Sequence, residues 1–170
     1  SGDATSRPII RKWSVEDLNE RLSHTNRRID MKRGEALFSD LGCFRCHRTA
    51  GRGGILGPDL TGVGRRFSVR DLLEAIIEPN RVISDQYRAT IFTLADGKRI
   101  TGHIADLHRD EWSVITDMSQ PRNYTKIAKN QIDDMQPSPV SMMPSGLIDT
   151  LTEEEITDLL GYLRSDHTAR

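Results

Sequence analysis

The residues with most chemistry to offer are Cys43, Cys46 and His47, set together as "CFRCH". They include both cysteines of the chain. Four chemistries fit such a cluster. A Cys43–Cys46 disulfide would close a very short loop and stabilise little. A thioredoxin-like redox pair would follow a strand in a βαβ pattern. The preceding "DMKRGEALFSDLG" reads instead as a helix, with Ala36, Leu37 and Leu41 on one face. Zinc asks for about four ligands; this cluster offers three at most, and His24, His103, His108 and His167 stand isolated. The fourth chemistry is covalent attachment of haem c, in which two thiols add to the vinyl groups and the adjacent imidazole meets the iron from one side. The surrounding sequence favours this last reading.

Gly51, Gly53 and Gly54 follow the cluster, and then "GPDL" over residues 57–60. A metal-bound histidine usually donates its second ring N–H to a carbonyl or carboxylate, which fixes tautomer and ring plane. A Gly-Pro turn just behind the cluster can supply such a carbonyl. The glycines would let the backbone pass close to a flat macrocycle, although taken alone they are an ordinary surface loop.

Other elements must position these groups. Ser14 with Asp17, and Ser68 with Asp71, read as N-terminal caps of "VEDLNERLS" and "VRDLLEAIIE". Leu72, Leu73, Ile76 and Ile77 give the second of these an apolar face. Thr152 with Glu155 is a capping box opening a helix over 153–164, with Ile156, Leu159, Leu160 and Leu163 at helical spacing. That helix should pack across the one before the cysteines. Glu153, Glu154 and Glu155 suit a helix N-terminus. "SMMPSGL" just before it is extended, because the residue before proline avoids the α region. Met142 and Met143 therefore point in opposite directions; the plain reading of both is core filler. Between 84 and 137 the pattern changes. "QYRATIFTL", "KRITGHIADL", "EWSVITD" and "YTKIAKNQIDDM", with a turn at Asp96-Gly97, read as about four to five short antiparallel strands. A lone histidine there, His103 or His108, reads as surface or packing.

"CFRCH", "GPDLTGVGRR" and "SMMPSGLIDTLTEEEITDLLGYLRS" together resemble the three blocks of a small mono-haem cytochrome c. More narrowly, they resemble the haem-binding domain at the C-terminal end of large secreted proteins of planctomycete-type bacteria, over roughly residues 31–168. The resemblance implies one covalent haem c held by Cys43 and Cys46. It makes His47 the proximal ligand, Pro58 the carbonyl that orients it, and Met143, directly before Pro144, the distal ligand. The expected fold is mainly α, a small cytochrome c with an antiparallel β module (sheet or small barrel) inserted between the third helix and the distal methionine loop. The expected divisions are 1–29 as an N-terminal extension with a short helix, 30–84 as the haem-attachment half, 85–137 as the β module, and 138–170 as the methionine loop and C-terminal helix.

The implied role is one-electron transfer without catalysis, relaying electrons from a fused dehydrogenase domain or a redox partner protein to an acceptor. Rival roles are a haem-based small-ligand sensor, a peroxidase-like enzyme, or an interaction module with structural haem. Haem c is attached outside the cytoplasm, so the expected compartment is periplasmic or otherwise exported. The start at Ser1 without methionine reads as a processed piece of an exported parent. A net charge of -1 gives no basic field for nucleic acid. No apolar run approaches the roughly 18–20 residues of a membrane span. Arg45, Arg48, Arg52, Arg65, Arg66 and Arg70 crowd the haem segment. They read as a solvated face, as partners of haem propionates, or as a docking face for an acidic protein. The sequence does not specify an oligomeric state.

Overall fold

The computed structural model describes residues 7–24, 26–118 and 120–165. Helices α1 (Val15–Ser23), α4 (Val69–Ile77) and α5 (Glu153–Arg164) begin at Ser14, Ser68 and Thr152, each of whose side chains accepts a hydrogen bond from the N–H three residues on. At Ser68 and Thr152 the acidic residue also reaches back, completing a capping box. Helix α2 (Met31–Asp40) is capped by Asp30, and α3 is the single turn Cys43–Cys46. Gly42, at φ 78°, ends α2 in the left-handed region and turns the chain into α3.

Among the described residues seven strands accompany the helices. β1 (Arg48–Thr49) and β2 (Arg52–Gly53) form a small hairpin. β3 (Thr90–Leu94), β4 (Arg99–Leu107), β5 (Glu111–Ile115), β6 (Thr125–Ala128) and β7 (Ile132–Pro137) form one antiparallel sheet in the order β6-β5-β4-β3-β7. The expectation of a mainly α chain is therefore corrected. Of the described residues, 34% are helical and 21% strand. Five strands carry so much of the chain between α4 and α5 that neither element type dominates.

The chain divides into two compact units, Ser1–Arg81 with Pro144–Arg170, and Val82–Met143. In the first unit, α1, α2, α4 and α5 bury one core that includes Trp13, Leu18, Phe38, Leu73, Leu151, Ile156 and Leu159. Helices α2 and α5 meet at Gly34. A Cβ there would strike the Asp158 carbonyl oxygen and stand 2.7 Å from Tyr162 Cβ. The inward face of α2 is accordingly Gly34, Leu37 and Phe38, with Leu41 half-buried and Ala36 exposed. The carboxylate of Asp158, fully buried, accepts from Arg27 Nη1 at 2.7 Å, the Asp30 N–H at 2.9 Å and Arg33 Nε at 2.5 Å. These bonds fasten the segment before α2, and α2 itself, to α5.

In the second unit, β3 lies between β4 and β7, and Gly97 turns β3 into β4 at φ 82°. A one-turn 3-10 helix, Lys129–Gln131, joins β6 to β7. Phe92, Val114 and Ile127 are the fully covered core, and Trp112 stands edge-on to Phe92 with ring centroids 5.6 Å apart. Among the described residues no helix is long and apolar enough to cross a membrane.

Candidate haem-attachment site

Both cysteines sit on α3, three residues apart and so on one side of a single helical turn. They are not joined to each other. Desolvation pushes the Cys43 thiol up to about 11 and raises that of Cys46. A redox-active pair needs the reverse, a thiol acidified toward thiolate. Among the described residues no three His, Cys, Asp or Glu side chains converge as a metal-binding group. The zinc chemistry thus lacks its ligand set. His24 joins no such group with Cys43, Cys46 and His47; His167 lies outside the described residues.

His47 follows α3 directly, with its N–H on the Cys43 carbonyl at 2.9 Å. Its Nδ1 lies 3.0 Å from the Pro58 carbonyl oxygen. A carbonyl only accepts, so Nδ1 carries the proton, and Nε2 presents its lone pair. Burial lowers the pKa of the imidazole, with the Pro58 bond acting in the other direction. A neutral ring is the form that binds a metal.

The loop that carries Pro58 is pinned along its length. Gly54 N–H donates to Phe44 O at 3.0 Å, Gly57 N–H to Cys46 O at 2.8 Å, and Leu60 N–H to Arg48 O at 2.8 Å. The Asp59 carboxylate accepts from Thr61 N–H at 2.8 Å, and Thr61 Oγ1 accepts from Ala50 N–H at 2.9 Å. Arg66 donates to the Asp59 carbonyl at 3.1 Å and to that of Thr61 at 3.4 Å. Sequence reasoning missed this clamp. Its signal was the Asp-x-Thr spacing at 59–61, the pattern of an Asx turn.

The glycines have a more local task than passing close to a macrocycle. A Cβ on Gly54 would strike the Arg45 carbonyl oxygen, and one on Gly53 the His47 carbonyl oxygen. Gly57 lies against the His47 ring itself. The loop backbone is laid directly on α3 and on the imidazole.

The arginines do not form a single free face. Arg70 pairs with Glu16 at 3.0 Å and Glu74 at 3.4 Å, and Arg66 holds the loop carbonyls. Arg65 folds over Gly62. Arg48 Nε is buried without a hydrogen-bond partner, and Arg45 is exposed. Met143 closes the second unit, half-buried, with its N–H donating to Ser141 Oγ at 3.1 Å; Met142 is likewise half-buried.

The residues of the first unit fit a covalent haem. Two thiols lie on one helical turn, and an imidazole beside them has its tautomer fixed with Nε2 available. No curated protein matches the chain. Residues 31–102, which include Cys43, Cys46, His47 and Pro58 and stop short of Met143, match the family model of cytochrome c, and this match supports a haem-based electron-transfer domain.

Proposed function

We propose that the chain is a mono-haem electron carrier. In this reading Cys43 and Cys46 hold the haem by thioether bonds, His47 is the proximal ligand and Met143 the distal one. The observation that carries the reading is the 3.0 Å bond from His47 Nδ1 to the Pro58 carbonyl, immediately behind the Cys43–Cys46 turn. When bound, the haem iron supplies one-electron redox chemistry. A methionine ligand together with histidine would raise its potential, which suits accepting electrons from a dehydrogenase, fused or separate, and passing them on. With His47 and Met143 both engaged in holding the haem, the domain would serve as a relay rather than bind substrate. The narrower family resemblance, to C-terminal haem domains of large secreted proteins, and an exported compartment belong to the same reading, since haem c is installed outside the cytoplasm.

The test is expression in an export- and maturation-competent host. Acid-acetone extraction should leave the colour with the polypeptide, and a pyridine haemochrome should show one c-type haem. Colourless protein, or protein with tightly bound zinc, would sink the reading. Oxidised protein should show the weak sulfur-to-iron band at the red end of the visible spectrum. Met143→Ala should abolish it and lower the potential, whereas Met142→Leu should leave it. The reverse result would move the ligand to Met142. Docking of an acidic partner is sought at the exposed Arg45. Arg45→Glu should slow electron exchange most at low salt, where steering is least screened.

A further inference from the structure

We infer that Gly57 sets the orientation of the His47 imidazole and is a positioning residue for the iron ligand. This rests on the haem reading above. A Cβ at position 57 would stand 2.7 Å from His47 Cε1, 2.8 Å from Nδ1 and 3.2 Å from Nε2. Carbon contacts settle near 3.5–4.0 Å, so even a methyl group cannot share this space with the ring. Gly57 is not among the glycines with positive φ, which are Gly42, Gly51, Gly53, Gly62, Gly97 and Gly146. Its backbone would suit an L-residue. The position requires the missing side chain, not the conformational freedom.

The loop cannot simply back away. Gly57 N–H is tied to Cys46 O at 2.8 Å, and the next carbonyl, of Pro58, holds the same ring at Nδ1. Two constraints therefore act on one imidazole. The Pro58 carbonyl fixes its direction in the ring plane, and the Gly57 backbone limits its tilt and rotation. A methyl group at 57 must turn the ring out of line with Pro58. That weakens the Nδ1–H···O bond and with it the electron donation of the ligand, which such a bond strengthens. A holoprotein held through such a ligand would show a higher reduction potential.

The experiment compares wild-type, Gly57→Ala and Gly51→Ala holoproteins by reduction potential and by the NMR order of the haem methyl resonances, which reports the axial ligand planes. Gly51 is a matched control. It lies in the left-handed region at φ 76°, so alanine strains the backbone there, yet a Cβ meets nothing within 4 Å. Gly57→Ala should raise the potential and reorder the methyl resonances; Gly51→Ala should lower stability and change neither. A Gly57→Ala protein with wild-type potential and methyl order overturns the inference. If Gly57→Ala yields no holoprotein, Gly57→Ala with Pro58→Ala frees the φ dihedral that proline locks. Holoprotein recovered with a potential shifted beyond that of Pro58→Ala alone supports the inference. Failure of this variant too, or recovery with the signals of Pro58→Ala alone, overturns it. A wild-type protein without haem c would instead sink the functional reading itself.

Discussion

The two units keep their shape by different means. The first gathers chain segments from both ends of the sequence around fifteen buried hydrophobic residues among those described. It adds the buried Asp158 cluster and the glycine contact between α2 and α5. The second is one continuous segment whose buried core cluster, among the described residues, is Phe92, Val114 and Ile127. Hydrophobic stabilisation scales with apolar area removed from water. The first unit therefore spreads its stability over many contacts, while the second concentrates it in a few side chains and in the sheet's hydrogen bonds. Cys43, Cys46 and His47, the residues proposed to hold haem, lie in the unit with the broader support.

The sharpest way to break this comparison is Phe92→Ala. The ring is fully buried and packs against Trp112. Its loss should cost about 3–5 kcal/mol, enough to open a sheet with so small a core. Hydrogen exchange should show lost protection over residues 90–137 while amides of α2 and α5 stay protected. Equal loss in both units would show that their stabilities are not separate.

Asp158→Asn probes the first unit. Burial works against this carboxylate, but hydrogen bonds from Arg27, the Asp30 N–H and Arg33 outweigh it and hold its pKa below the ordinary 3.8. Removing one partner of a buried pair costs about 3 kcal/mol. A carboxylate with depressed folded pKa stabilises fully above its unfolded value. That contribution is lost as pH falls through the lowered one. The wild type should therefore lose stability below about pH 4, and Asp158→Asn should be weaker at neutral pH with a flatter acid limb. An unchanged acid limb would show that the cluster contributes nothing to acid sensitivity.

What was legible in the sequence is what local chemistry determines. Ser14, Ser68 and Thr152 mark helix starts because a cap and its partner lie within one turn. The Asp96-Gly97 turn announces itself because few residues take up positive φ. Cys43, Cys46, His47 and Pro58 stand within sixteen residues, and the motif carries its own spacing. What was not legible depends on distant partners. Gly34 reads as a weak point in a helix until α5 is seen lying on it. Nothing local in "EEEITDLL" marks Asp158 for burial, and only Arg27 and Arg33 explain it. Ala36 sits at a plausible helical spacing, yet the crossing with α5 selects Gly34 and Phe38 instead. The balance of helix and strand was misjudged because a family block describes its own elements and not the weight of an insertion.

The smallest effect concerns the β1–β2 hairpin, which is bonded to the loop that carries Pro58. Its two-residue turn is Ala50-Gly51, with φ of 49° and 76°, between the pairs Thr49–Arg52 and Arg48–Gly53. Two successive left-handed residues make the type I′ turn that suits a tight hairpin, for which Asn-Gly is the preferred pair. Alanine in the left-handed region costs roughly 1 kcal/mol. Ala50 is the one described non-glycine residue with positive φ, and its N–H donates to Thr61 Oγ1 at 2.9 Å. The strain is thus held by a bond to the loop that positions Pro58. Asparagine tolerates this conformation and keeps the backbone N–H. Ala50→Asn should therefore raise stability by about 0.5–1 kcal/mol, read from denaturant midpoints at unchanged slope, with the haem spectrum unaltered. Ala50→Gly should gain less, since glycine also loosens the unfolded chain. Destabilisation by both would mean that the Ala50 methyl contributes packing worth more than the strain it causes.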